Sequence, residues 1–151
     1  MPRVLIVHHT TSPSLHTMRL AVADGASAPE LGEVEVVTAA ALSATAADAL
    51  AADGYVLVAP ANLGSMAGAL KHFFDTVYYP CLDQTRGRPF GVAVHGNNDV
   101  DGALRDITRI TTGLGWHQVA EHVRVIDAPD QAARDACWEL GATVAANTLE
   151  P

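Results

Sequence analysis

One short stretch of the chain is crowded with hydroxyls, His9-Thr10-Thr11-Ser12-Pro13-Ser14-Leu15-His16-Thr17. It lies between an apolar run and a helical pattern. A turn that opens a helix leaves backbone N–H groups free at the positive end of the helix dipole, which makes a site for an anion. The hydroxyls of Thr10, Ser12, Ser14 and Thr17 add neutral donors, and no Lys or Arg stands in the stretch. A phosphate held here is therefore expected to rest on neutral donors. Ordinary N-capping explains one or two of these hydroxyls, but four are more than a cap needs.

Two further stretches could complete a ligand site. Pro60-Ala61-Asn62-Leu63-Gly64-Ser65 is small and contains a glycine, so its backbone can approach a flat ligand closely. A plain strand-to-helix turn is the simpler reading, with Gly68 serving close helix packing. His95-Gly96-Asn97-Asn98-Asp99 can offer N–H groups and side-chain amides to a polar ring edge. It can equally be a solvated loop whose Asp99 caps the next helix.

Several other chemistries are disfavoured. The seven histidines show neither HExxH nor paired ligand spacing, so no metal is expected. There is no G-x-G-x-x-G and no P-loop, which argues against a dinucleotide in a Rossmann crevice and against nucleotide hydrolysis. Cys81 and Arg86 miss the spacing of a phosphatase phosphate loop. A phosphate-receiver domain needs an aspartate ending its third strand, where this chain has Ala59-Pro60. Cys81 and Cys137 have no CxxC context and are expected to be free thiols in a reducing compartment.

The elements that must position these stretches alternate along the chain. Val4 to Val7 is a continuous apolar run, as in a strand buried on both faces. Leu15, Met18, Val22 and Ala26 recur at helical spacing. Glu33 to Val37 alternates, the mark of a half-exposed strand. Thr45 to Ala52 is an Ala-rich helix, and Tyr55 to Ala59 is a strand stopped by Pro60. Met66, Leu70, Phe73 and Val77 mark the next helix, then Phe90 to Val94 a strand. Val100, Leu104, Ile107 and Leu114 mark a helix, Val119 to Ile126 a strand, and Ala133, Cys137, Leu140 and Val144 the last helix.

Five βα units predict an α/β fold with three layers, a doubly wound parallel sheet of five strands. Only the second and fifth strands carry alternating charges, so they should be its edges. The order 2-1-3-4-5 satisfies this and puts the switch point between the first and third strands. The three polar stretches all follow strands that meet there.

Composition agrees with one folded domain over 1–151. Hydrophobic residues make up 49% and charged residues 17%, which favours a buried core over disorder. The net charge of −8 offers nothing for nucleic acid or an anionic membrane, and suits a basic partner protein. The apolar run after Met1-Pro2-Arg3 is too short for a signal peptide, and no stretch reaches the length of a membrane span. A cytoplasmic location is expected.

Val4 to Ala26 resembles the opening of the flavodoxin family, in particular its quinone-reductase branch related to tryptophan-repressor-binding protein. Pro60 to Asp75 resembles that family's second flavin loop and the helix after it, and this is the more specific match. The βα order is similar along the whole chain.

The resemblance implies a flavodoxin-like fold and an FMN cofactor. Thr10, Ser12, Ser14, Leu15, His16 and Thr17 would hold its phosphate. Pro60, Ala61, Asn62, Leu63 and Gly64 would line one side of the isoalloxazine, and His95, Gly96 and Asn97 the other. Pro13 and Ser14 stand where a glycine is usual, Ala61 where a hydroxyl is common, and Leu63 where an aromatic is common. The third loop lacks the branch's glycine run. Stacking on the flavin would then fall to Tyr78, to Tyr79, or to no residue of this chain.

Two function classes follow from the resemblance. One is an NAD(P)H-dependent reductase of quinone or flavin-type acceptors, with a homo-oligomer as an expected assembly. The other is an electron-transfer module that docks to a redox partner protein. A domain that keeps the fold without flavin is a third.

Overall fold

Val4, Leu5, Ile6 and Val7 have no polar side chain and are wholly buried, so the strand they form must be covered on both faces. The computed structural model, which describes residues 1–149, places them in β1 (Arg3–His8) at the interior of a parallel sheet. Glu150 and Pro151, the end of the expected domain, lie outside the described residues. β1 pairs on one side with β2 (Glu35–Ala40) and on the other with β3 (Gly54–Asn62). β3 pairs in parallel with β5 (Pro89–Gly96), whose far side takes β6 (His117–Gln118) and β7 (Val123–Ile126). The short β4 (Ser65–Met66) returns antiparallel along β3.

The order is therefore β2-β1-β3-β5, closed by β6 and β7. It is the expected order 2-1-3-4-5 with β4 added and the fifth strand split in two. Both charge-bearing strands stand at the edges, as their alternation predicts.

Helices cover the two faces. Val4, Ile6, Val56 and Val58 pack against α1 (Pro13–Ala26) and α5 (Gln131–Thr148). Leu5, Val7, Leu57 and Val92 pack against α2 (Ala46–Ala51), α3 (Gly68–Cys81) and α4 (Asp101–Leu114). At about 25 cal/mol per Å² of buried apolar surface, these two layers supply the main favourable term in folding.

Two expectations about strands need correction. Pro60 does not stop β3, which runs on to Asn62. Val58 and Pro60 address their backbone groups to the β1 side, where the Val58 carbonyl takes the His9 N–H. Pairing with β1 ends at Val58, so the donor that proline lacks has no acceptor to miss. Val119 to Ile126 is not one strand either. His117 pairs with Pro89 but Val123 with Ala93, so the edge slips by two residues. The slip bulges out the segment with Glu121 and His122.

Candidate functional site

The carboxyl ends of β1, β3 and β5 bring three loops around a cleft of about 190 Å³. Its walls are Thr11, Ser12 and Leu15, then Pro60, Ala61 and Asn62, then His95, Gly96 and Asn97. All but Thr11 are expected site residues. Thr10, Ser14, His16 and Thr17 lie on the same loop and helix start without lining the cleft, and Leu63 and Gly64 stand at its rim. Thr11 was hidden among four hydroxyl neighbours, none of which the sequence distinguishes from it.

The first loop is built to present donors. Ser12 is extended and caps α1, its hydroxyl accepting the Leu15 N–H at 3.2 Å. Pro13 takes the first helical position, where a missing N–H is harmless. The backbone amides of Thr10, Thr11, Ser12 and Ser14 make no hydrogen bond among the described residues. They stand at the positive end of α1, an arrangement that can receive an anion.

A cationic side chain does stand beside this loop, although none lies within it. Arg19 reaches back one turn to His16 Nδ1 at 3.2 Å, and its Nε is buried without a partner among the described residues. His8 Nδ1 meets the Thr10 hydroxyl at 2.8 Å. Burial first, then the charges of Arg19 and His9, hold the His8 pKa below its ordinary value. Sequence spacing missed Arg19 because it belongs to the second turn of the helix.

The second loop is a hairpin. Ala61 pairs with Met66 and Asn62 with Ser65, leaving Leu63 and Gly64 as a two-residue turn. Their φ values are 51° and 79°, both left-handed, as in a type I′ turn. The Leu63 side chain is fully exposed. A Cβ on Gly102 would overlap the carbonyl oxygen of Gly64, so only glycine lets the hairpin rest on the start of α4. The Met66 N–H donates to Asp106 Oδ2 at 3.0 Å and fixes the same contact.

The third loop is tied to the edge strand. His95 Nε2 lies 2.8 Å from the Asp127 carbonyl, which can only accept, so Nε2 carries the proton. The Asp127 N–H donates to the Gly96 carbonyl at 3.0 Å. Asp99 Oδ1 accepts the Asp101 N–H at 2.8 Å, but the N-cap of α4 is Val100, not the Asp99 that the sequence suggests. The backbone N–H groups of Asn97 and Asn98 have no partner among the described residues and remain free for a ligand, while Asn98 Oδ1 accepts the Asp99 N–H.

Tyr78 and Tyr79 do not reach this cleft. α3 starts at Gly68 beside the hairpin, and ten residues at a rise of about 1.5 Å carry it some 15 Å away. Tyr78 packs its hydroxyl against Gly113 near the end of α4, and Tyr79 is exposed. Among the described residues, no Phe, Tyr or Trp lines the cleft. The apolar side chains that line it are Leu15, Pro60 and Ala61, and the exposed Leu63 stands at its rim.

The donor set fits FMN. A free-amide cradle suits a phosphate, a wall of Pro60 and Ala61 suits a flat ring, and the Asn97 amides suit its polar edge. No group of three or more potential metal ligands occurs among the described residues. No described helix is long and apolar enough to cross a membrane.

The chain resembles known proteins over nearly its whole length. A family model described as NADPH-dependent FMN reductase matches residues 10–145. No curated protein matches it by sequence. A flavodoxin from the domain Archaea superposes with a TM-score of 0.84 at 16% identity, covering 98% of this chain and 99% of that one. A flavodoxin, WrbA-like protein from Agrobacterium tumefaciens gives 0.80 at 19% identity, covering 99% and 98%. The rubredoxin oxygen:oxidoreductase of Desulfovibrio gigas gives 0.81 at 13% identity, with 97% of this chain matching 36% of the longer one. At these identities the likeness is one of fold.

Proposed function

The chain belongs to the NADPH-dependent FMN reductase family, and from that premise we propose that it passes electrons from a nicotinamide nucleotide, through bound FMN, to a quinone or flavin-type acceptor. It is a flavodoxin-like, FMN-binding redox protein. The donor and the acceptor are the proposed part. When bound, FMN would supply two-electron transfer chemistry between donor and acceptor.

The residues of the chain bind and orient. The amides of Thr10, Thr11, Ser12 and Ser14, with the hydroxyls of Thr10, Thr11, Ser14 and Thr17, would hold the phosphate, and Arg19 would offset its charge. Pro60 to Gly64 would shape one wall around the ring. His95, Gly96 and Asn97 would address its polar edge, with His95 held still by Asp127. The observation that carries the reading is the set of unbonded amides at the start of α1, which opens onto a cleft walled by small residues. The two cysteines are free and buried, in keeping with a proposed cytoplasmic setting.

A second reading has one observation in its favour. Asp99, Asp101, Asp127 and Asp130 are all exposed around the third loop, an acidic rim suited to docking a basic redox partner. Stopped-flow mixing of the FMN-loaded protein with NADPH or NADH decides between the two. Rapid bleaching of the flavin, followed by reoxidation with a benzoquinone, supports the reductase. A flavin that only a partner reductase can reduce supports the carrier.

A further inference from the structure

A second cleft, of about 560 Å³, opens between α4 and β7. It is lined by Asp101, Leu104, Arg105, Thr108, Arg109, His122 and Arg124, so it gathers three of the nine Lys and Arg residues of a chain with net charge −8. Arg124 is paired with Asp101 at 3.2 Å. Arg105 and Arg109 make neither an ion pair nor a hydrogen bond among the described residues. They sit one turn apart on α4 and so share a face. His122 Nδ1, in the same wall, is buried without a partner among the described residues. An acidic protein that concentrates unpaired arginines in a cleft has made a local site for an anion.

The position of the cleft says which anion. α4 begins directly after the third loop, and Arg109 stands about 12 Å further along its axis than Asp101. An Arg105 guanidinium nitrogen lies 3.6 Å from the point where a Gly102 Cβ would be, on the same residue that supports the Gly64 carbonyl. The basic cleft thus begins beside the hairpin at the rim of the first cleft and runs along α4 away from it. A nicotinamide dinucleotide is an extended molecule with its reacting ring at one end and its adenosine at the other.

We infer that this cleft takes the adenosine end of NADPH, with Arg105, Arg109 and Thr108 holding the 2′-phosphate. The inference rests on the reading of the protein as a nicotinamide-nucleotide reductase. Arginine suits the role because its planar guanidinium gives two parallel hydrogen bonds to phosphate oxygens. NADH, which lacks that phosphate, gains nothing there.

The test uses the FMN-loaded protein with two probes, adenosine 2′,5′-bisphosphate and adenosine 5′-monophosphate, followed by calorimetry. The bisphosphate should bind about tenfold more tightly or better, and Arg105→Ala/Arg109→Ala should abolish that preference with flavin content unchanged. The same variant should raise the KM for NADPH by a similar factor and leave the KM for NADH alone. Equal binding of the two probes, no binding of either, or a preference that survives the double substitution overturns the inference. Its failure is distinct from failure of the reductase reading. In the first case NADPH still bleaches the flavin of both proteins, while in the second it bleaches neither, whatever the probes do.

Discussion

The backbone amide of Met66 donates to the Asp106 carboxylate across 3.0 Å, joining positions 40 residues apart in sequence. That bond, with the close seat of Gly64 on Gly102, sets the angle at which the β3–β4 hairpin stands over the cleft. Asp106→Ala leaves the Met66 amide without its partner and should lower stability by about 1–2 kcal/mol. With the hairpin as the proposed wall for the ring, FMN and riboflavin affinities should fall together. Asp106→Asn keeps an acceptor oxygen and should recover most of both losses. Urea unfolding and flavin titration measure the two effects, and an unchanged flavin affinity in Asp106→Ala removes the hairpin from the binding wall.

Leu63 sits at φ 51° with its side chain in solvent, which is an unfavourable backbone and an unfavourable surface at once. A left-handed conformation costs an ordinary residue roughly 1–2 kcal/mol, and asparagine relieves part of it in a type I′ turn. Leu63→Asn should therefore stabilise the protein by about 0.5–1 kcal/mol. It should also weaken flavin binding or slow turnover, because strain kept at a rim position is most readily explained by use. Thermal unfolding together with flavin titration checks this. A variant that is more stable and binds as tightly shows that the leucine has no part in the site.

Strand interiors and sheet edges were legible because burial on two faces leaves no position for a polar side chain. Val4 to Val7 against Glu33 to Val37 shows the contrast. The cleft was legible for a similar reason, since a strand order fixes which loops meet. The hairpin was not, because Leu63-Gly64 lacks the Asn-Gly or Asp-Gly signature and β4 has only two residues. The split edge was not, because an alternating run reads alike whether or not its register slips. Arg105, Arg109 and Arg124 come from a helix and a strand that meet only in the fold. No spacing in the sequence brings Arg124 to the other two.

His8 and His122 both have pKa values below the ordinary 6.5, chiefly through burial, with Arg19 adding to the first and Arg124 to the second. The unfolded chain therefore takes up these protons at a higher pH than the folded one does. The neutral imidazoles contribute stability that is fully present above about pH 6.5 and lost as pH falls through their lowered values. Below those values the loss levels off. Melting temperatures from pH 7.5 to 5 should thus fall further for the wild type than for His8→Gln/His122→Gln. Parallel profiles for the two proteins would count against this linkage.

The proposed phosphate cradle can be separated from the helix cap, because the two rest on different side chains. Ser12 caps α1, so Ser12→Ala should cost about 1 kcal/mol of stability with or without ligand. The Ser14 and Thr17 hydroxyls have no partner among the described residues, so removing them should leave the apoprotein nearly as stable as before. A dianion, however, gains roughly 1.5–3 kcal/mol from each hydrogen bond it accepts. Ser14→Ala/Thr17→Ala should therefore weaken FMN on the order of tenfold or more while sparing riboflavin, which carries no phosphate. Arg19→Gln should show the same selectivity to a smaller extent, and more so at low ionic strength, because a partly exposed charge is screened by salt. Fluorescence titration of the apoprotein with both flavins reads the contrast directly. Equal losses for FMN and riboflavin, or no loss for either, would place the phosphate elsewhere than at the start of α1.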